Sequence, residues 1–456
     1  MHRHHIVHNI DYRPLAHWYR KTHDAGNMTY LPPPNLILAV CVHLPTAQTS
    51  TSGTAGNTRR REGILRQADT CVKCGLCLPH CPTYRQTEDE AESPRGRIAL
   101  IQGWLSGAIP GDERLHGHLN RCLQCGACEK ACPSLVPFVN MMDQARAQRT
   151  DALPQAKRQL RRWVADRLAH PSALHRLLRL YQRSGLRALT RASGLLRMTG
   201  LTKLEQLGAD LAQPAAATPD AAPLTRGTIL IYSGCVGRHL DAGAHAAAIR
   251  VLQHLGYSVE LPRGDHCCGA LHRHDGFEEA AEKLLDASRA CFARAEQPPV
   301  LGLASACTAE LRRNPELASV VRDASRFLAD LDWPEALRPR PYDGRVLVHI
   351  PCSQANLLGD PGAAVDLLRL IPGLEPVELT DHPFCCGAAG AYLLREAEMA
   401  QRLLDDKLTA IRDCGANTLV TTNTGCAAHL RSGIEQAGLS IQVCHPVELL
   451  ARQLPT

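Results

Sequence analysis

No stretch of this 456-residue chain approaches 18 consecutive apolar residues, so no segment reads as a helix that spans a bilayer. Behind Met1-His2-Arg3-His4-His5 there is no apolar h-region, so the start does not read as a secretory signal peptide. Aromatic residues are sparse, at 4%, and the net charge of +6 is mild. Cysteine, by contrast, is abundant, with 20 copies. Such density serves either a disulfide scaffold or metal ligation. A disulfide scaffold suits small secreted domains, which this chain does not resemble. The expectation is a cytoplasmic protein of two or more domains whose thiols stay reduced.

Composition then divides the chain. Residues 1–60 are rich in His, Thr, Ser and Pro and read as a disordered extension or an over-extended translation start, with His2, His4, His5 and His8 in a solvated tail. Residues 61–150 carry eight cysteines in two motifs. Residues 151–223 form a basic helical connector and linker. Arg176, Arg179 and Arg183 are interleaved there with Leu174, Leu177, Leu178 and Leu186 at helical spacing, ahead of an Ala/Pro tract from Gln213 to Pro223. Such a face suits the protein's own surface or an anionic membrane equally. Nothing in the chain reads as a nucleic-acid site. Beyond residue 224, Thr228–Ser233, Val300–Ala304, Arg345–Ile350 and Thr418–Thr422 read as buried strands that run into cysteines. Strands alternating with helices imply parallel α/β units.

The two motifs are Cys71, Cys74, Cys77, Cys81-Pro82 and Cys122, Cys125, Cys128, Cys132-Pro133. Soft thiolates at this spacing select iron–sulfur clusters. A zinc ribbon would need only two Cys-x2-Cys pairs and no repeated x3-Cys-Pro ending. In two-cluster ferredoxins the fourth cysteine of each motif serves the other cluster. Applied here, Cys71, Cys74, Cys77 and Cys132 hold one [4Fe–4S] cluster, and Cys122, Cys125, Cys128 and Cys81 hold the other. Gly75 and Gly126, lacking Cβ, are expected to let the backbone approach the clusters. The stretch from Ile98 to Gly107 reads as helix, so the module is expected to be helical. Two clusters without a substrate pocket act as a wire.

The second half contains an internal repeat. Cys352 stands 117 positions after Cys235, Cys385 stands 118 after Cys267, and Cys426 stands 119 after Cys307. The middle element of each copy is Cys-Cys-Gly: Cys267-Cys268-Gly269 and Cys385-Cys386-Gly387. Adjacent cysteines, with Cα atoms about 3.8 Å apart, do not bridge each other easily, but both can aim at one metal. Cysteines at the carboxyl ends of parallel strands occupy the crevice where α/β domains bind ligands, and helix N-termini favour the thiolate. One metal or redox site per repeat follows: Cys235, Cys267, Cys268 and Cys307 in residues 224–340, and Cys352, Cys385, Cys386 and Cys426 in residues 341–456. Cys41, Cys291, Cys414 and Cys444 fall outside both patterns and read as small hydrophobes.

Residues 61–456 resemble the iron–sulfur subunit of glycolate oxidase. That family lies in a wider group with lactate-oxidation and anaerobic glycerol-3-phosphate dehydrogenase iron–sulfur subunits and heterodisulfide reductase subunits. The resemblance rests on Thr70-Cys71-Val72-Lys73-Cys74-Gly75, Ser93-Pro94-Arg95-Gly96-Arg97-Ile98, Tyr232-Ser233-Gly234-Cys235, both Cys-Cys-Gly elements, Thr422-Asn423-Thr424-Gly425-Cys426 and His445-Pro446-Val447-Glu448-Leu449-Leu450. It implies an α+β multidomain chain, with a helical two-cluster ferredoxin module followed by two α/β cysteine-rich (CCG) domains. It also implies electron flow from a separate FAD subunit that oxidises glycolate to a quinone or other membrane acceptor, at the inner face of the cell membrane. No Gly-x-Gly-x-x-Gly fingerprint is present here, consistent with a flavin on another chain. The wider group ends each repeat in Cys-x-x-Cys, whereas this chain has Glu310 and His429 at those positions. One helical turn separates i from i+3, so His429 is expected to join the second site and Glu310 to reach the first. The changed endings leave open a zinc site, a four-thiolate cluster or an empty pocket, and with them a heterodisulfide-reductase-like thiol chemistry. Arg95 or Arg97 is expected to support cluster charge.

Overall fold

The computed structural model describes residues 55–169, 226–262, 267–379, 385–412 and 414–455, all within one compact unit that begins at Gly53. The N-terminal extension, the stretch with Arg176, Arg179 and Arg183, and the Ala/Pro tract lie outside the described residues. Among the described residues no helix is long and apolar enough to cross a membrane.

The ferredoxin region is helical, as its sequence predicts. Between the motifs run helices Pro82–Thr87, Pro94–Ser106 and Glu113–Asn120, and the second motif leads into Phe138–Asp151. Helix Pro94–Ser106 has both of its ends written in the sequence. The Ser93 hydroxyl accepts from the Gly96 N–H at 2.9 Å, Pro94 fills the first turn, and Gly107 closes the helix at φ 82°. Its inner face, Ile98, Ile101 and Leu105, packs with Ile64, Leu119, Met141 and Met142. Each fully buried aliphatic side chain of this kind contributes roughly 1.5–3 kcal/mol.

Each cysteine-rich repeat is a four-stranded parallel sheet. The first has the order β2-β1-β3-β4, from β1 (Thr228–Tyr232), β2 (Ser258–Glu260), β3 (Val300–Gly302) and β4 (Val321–Asp323). The second has β6-β5-β7-β8, from β5 (Gly344–His349), β6 (Leu374–Glu378), β7 (Thr418–Thr421) and β8 (Gln442–Cys444). The order reverses between the two central strands, which is where such sheets open a ligand crevice at their carboxyl ends. Cys235 follows β1 and Cys352 follows β5. Cys307 and Cys426 sit in the first turns of helices Ser305–Leu311 and Thr424–Gln436, which leave β3 and β7.

The repeats pack against each other about a pseudo-twofold axis. Ile229 and Ile231 of β1, with Val346 and Val348 of β5, point into one shared core. Helix Ala242–His254 packs on Pro446–Arg452, and Ala324–Ala329 packs on Ala363–Leu368. The tail His445-Pro446-Val447-Glu448 earns its place here. His445 Nδ1 accepts from the Val447 N–H at 3.2 Å, and Glu448 accepts from the His445 N–H at 2.9 Å. The other nitrogen, Nε2, donates to the Leu303 carbonyl of the first repeat at 3.0 Å. Burial holds this imidazole neutral, with its pKa lowered to about 4. Of the cysteines outside the patterns, Cys444 is buried in the shared core, while Cys291 and Cys414 pack partly buried against the outer clusters.

Candidate metal centres

Two cavities lie in the ferredoxin region. Cys71, Cys74 and Cys77 of the first motif line one cavity together with Cys132 of the second. Cys122, Cys125 and Cys128 line the other together with Cys81; Cys128 also borders the first. Each cavity thus gathers three thiols of one motif and the last thiol of the other. Both cysteine loops are bent in the same way. Lys73 (φ 57°) and Gly75 (φ 84°) flank Cys74, and Gln124 (φ 51°) and Gly126 (φ 72°) flank Cys125. Left-handed residues alternating with ordinary ones form a concave nest of backbone N–H groups, which suits an anionic guest. The glycines supply the positive φ of this bend, and each also lines its cavity. A Cβ on Gly75 would meet Arg95 Nη1 at 2.9 Å, and one on Gly126 would meet Leu357 Cδ2 at 2.8 Å. Burial pushes the Cys125 and Cys128 thiols well up, and neighbouring thiols add to the effect. Buried thiols that resist ionising alone ionise when they bind a cation. The donor set and the nests therefore fit iron–sulfur cubanes.

The segment Ser93-Pro94-Arg95-Gly96-Arg97 serves both cavities. Arg95 borders the first, donating to the Lys73 carbonyl at 3.2 Å and to Glu90 Oε1 at 2.6 Å. Gly96 leaves room for the Glu90 carbonyl, which a Cβ would overlap. That approach brings Glu92 under the helix. Arg97, buried with 1% exposure, lines the second cavity with Nη1 4.0 Å from Cys81 Sγ. It is held by Glu92 Oε2 at 2.5 Å and by the His118 carbonyl at 2.8 Å. Glu92 also pairs with His118 at 2.7 Å and with Arg121. A fixed positive charge therefore stands beside each cavity, half-buried at the first and buried at the second.

In the cysteine-rich repeats the thiols contact one another in matching order: Cys235, Cys267, Cys268, Cys307 and Cys352, Cys385, Cys386, Cys426. The glycine of each Cys-Cys-Gly is fixed by geometry. Gly269 has φ 87° with the Ala281 carbonyl 2.8 Å from where a Cβ would be; Gly387 has φ 86° with the Ala400 carbonyl at 2.7 Å. The second repeat touches the ferredoxin directly. Asn356 donates to the Cys125 carbonyl at 2.9 Å, and Lys130 donates to the Ala355 carbonyl at 3.0 Å. Cys125, Cys352 and Cys385 line one cleft between the modules.

The expected substitutes for cysteine go elsewhere. His429 directs Nε2 at the Ala400 carbonyl, 3.3 Å away, because its helix packs that face on the backbone of Ala397–Arg412. Among the described residues the histidine beside these thiols is His349, at the end of β5. Its ligand atom lies within 4.8 Å of Cys386 and Cys426 Sγ, and these are also within 4.8 Å of each other. Only the alignment of the two repeats would have found it in the sequence. Glu310 is tied to Arg273 Nε at 2.5 Å, with burial raising its pKa to about 7.

The comparisons with known proteins agree with this architecture. The 4Fe-4S dicluster domain family matches residues 67–136, and the cysteine-rich domain family matches residues 229–312 and 346–431. The linker region of the glycolate oxidase iron-sulfur subunit matches residues 171–208. The chain is 32% identical over 414 residues to the "Glycolate oxidase iron-sulfur subunit" of Escherichia coli, covering 86% of this chain and 95% of the relative. It is 31% identical over 418 residues to the "Probable glycolate oxidase iron-sulfur subunit" of Bacillus subtilis, covering 83% and 92%. With a fumarate reductase (CoM/CoB) subunit of Methanothermobacter marburgensis it shares 25% identity over 391 residues, covering 83% and 71%. With paired cysteine motifs, a doubled Cys-Cys-Gly fold and full-length relatives in hand, the chain belongs to the family of glycolate oxidase iron–sulfur subunits, and it is an electron-transfer subunit.

Proposed function

We propose that this chain carries electrons through two crosswise-held cubanes in a glycolate-oxidising complex. Cys71, Cys74, Cys77 and Cys132 would hold one cluster; Cys122, Cys125, Cys128 and Cys81 would hold the other. The observation that carries this reading is the sorting of the eight thiols into two cavities, three from one motif and one from the other. When bound, a cubane takes up one electron and gives it on. The chain's own part is to hold charge and exclude water. Arg97, buried beside Cys81, favours the more negative, reduced state of the second cluster, and Arg95 does the same at the first with more solvent screening.

The electron donor is a separate FAD subunit that oxidises glycolate, and the acceptor is a quinone-pool component, with the complex at the inner face of the cell membrane. The first cavity offers the entry. Cys74 is exposed there, and Val72, Leu76 and Leu135 are exposed apolar residues around it, a surface suited to a partner subunit. Anaerobic purification of the complex tests the function. A flavoprotein is expected to co-purify and to reduce a dye with glycolate, and glycolate is expected to bleach the cluster absorption of this chain. A partner that oxidises only lactate or glycerol-3-phosphate overturns the substrate, and an iron-free chain overturns the wire.

A further inference from the structure

The two repeats share their backbone but not the groups around their thiols. The offset that aligns Cys235 with Cys352 also aligns Tyr232 with His349. The offset that aligns Cys307 with Cys426 aligns Ser288 with Lys407. All four residues are buried, with 3% and 2% exposure for Tyr232 and His349, and 0% and 3% for Ser288 and Lys407. The second repeat therefore places an imidazole and an ammonium where the first has a phenol and a hydroxyl.

His349 is set up as a ligand. Its Nδ1 lies 3.0 Å from Thr421 Oγ1 on the neighbouring strand, which fixes the ring. Its Nε2 is buried and has no hydrogen-bond partner among the described residues. A buried polar nitrogen left unpaired costs about 1–3 kcal/mol unless something occupies it. A ring whose Nδ1–H is bonded to a neighbour presents the Nε2 lone pair.

The geometry points to one divalent transition ion of the zinc class in the second repeat, bound by His349 Nε2 with Cys386, Cys426 and Cys385, and to none in the first. The donor spacing selects a single ion over a cluster. Donors on one tetrahedral ion, with bonds of about 2.0 Å to nitrogen and 2.3 Å to sulfur, stand about 3.5–3.8 Å apart. His349, Cys386 and Cys426 already lie within 4.8 Å of one another; Cys385 stands outside that group, in contact with Cys386, and closes the set by turning in on the ion. In a cubane each cysteine binds a different iron, which demands wider spacing. Three thiolates on a divalent ion leave one negative charge, which the Lys407 ammonium, in reach of all these thiols, offsets. The first repeat has no lysine at that position and presents Tyr232 instead of an imidazole. With all four positions filled by protein donors, the site is structural in type. It is redox-silent, so it clamps the wall of the cleft beside Cys125 rather than extending the wire.

The test uses the full chain purified anaerobically, with zinc, iron and sulfide measured together and X-ray absorption recorded at the zinc edge. The proposal expects zinc at about one per chain in a shell of three sulfurs and one nitrogen. It expects zinc to be lost in H349A and H349Y while iron stays at about eight per chain, four for each cubane. Y232F should change neither. Cobalt(II) loaded in place of zinc should give tetrahedral thiolate bands in the wild type that vanish in H349Y. A sulfur-only shell, zinc retained in both His349 variants, no zinc in the folded wild type, or about twelve irons with matching sulfide would each overturn it. The wild-type absorption spectrum decides the case even where a variant fails to fold. Loss of iron with zinc retained would strike the two-cluster reading and leave this one standing.

Discussion

Aligned by their cysteines, the two repeats pair Tyr232 with His349, His274 with Tyr392, Ser288 with Lys407 and Glu310 with His429. The strand orders match, and the glycine of each Cys-Cys-Gly meets the backbone of the following helix at nearly the same distance. Backbone demands are therefore common to both copies, while the side chains that face the thiols have gone separate ways. In the second copy the thiol cleft opens toward Cys125 of the ferredoxin. In the first the thiols pack with Ala169 of the helix that precedes the linker, and the neighbouring His272 meets Asp166 of that helix at 2.8 Å. The second copy meets the ferredoxin at its thiol cleft, and the first meets it through His274, Asp275 and Arg313, which contact the helix that follows the second motif.

The largest expected effect breaks what the copies share. Gly387→Ala and Gly269→Ala each force a Cβ onto a backbone carbonyl at positive φ and should each destabilise the protein by about 4 kcal/mol, read as a fall in the urea midpoint. A mild effect in one copy alone would show that the two loops are not equivalent.

The next effect separates the copies. Glu310 has its pKa raised from 4.5 to about 7 by burial, which outweighs the pull of Arg273. The folded state then binds the extra proton between those values. Its contribution is complete below pH 4.5 and is lost as the pH rises through 7, a change of about 3 kcal/mol. Glu310→Gln should flatten the stability profile over that window, and His429→Gln in the second copy should leave it in place. An unchanged slope in Glu310→Gln would contradict the assignment.

The smallest effect tests the seam between the copies. Ser305 and Ser353 share a hydrogen bond at 2.7 Å across it. Ser305→Ala should cost about 1 kcal/mol in thermal or denaturant unfolding, and Thr424→Ala, which loses Asp241 at the related position, should cost a similar amount. A difference well beyond that would mean the pseudo-twofold seam is loaded on one side.

Much of this was legible in the residues. The four apolar runs that end at cysteines became the central strands β1, β3, β5 and β7, because only central strands are buried on both faces. The outer strands were harder to read. β2, β4 and β8 span three residues each, too short for a period to show. Spacing indicates the thiols of both cavities but not the left-handed Lys73 and Gln124 between them, since φ depends on how the loop closes. It also points to His429, because i and i+3 share a helix face without revealing that this face meets the Ala400 carbonyl. His349 is illegible in Val348-His349-Ile350, where it reads as the end of a strand.

The crosswise pairing of the ferredoxin cysteines is tested most directly by low-temperature EPR of the anaerobically reduced chain, comparing wild type with Cys81→Ser and Cys132→Ser. Crosswise ligation predicts two spin-coupled cubane signals in the wild type. Cys132→Ser should then alter the same signal as Cys71→Ser, and Cys81→Ser the same signal as Cys122→Ser. If Cys132→Ser altered the signal that Cys122→Ser alters, each motif would hold its own cluster, and the crosswise account would be wrong.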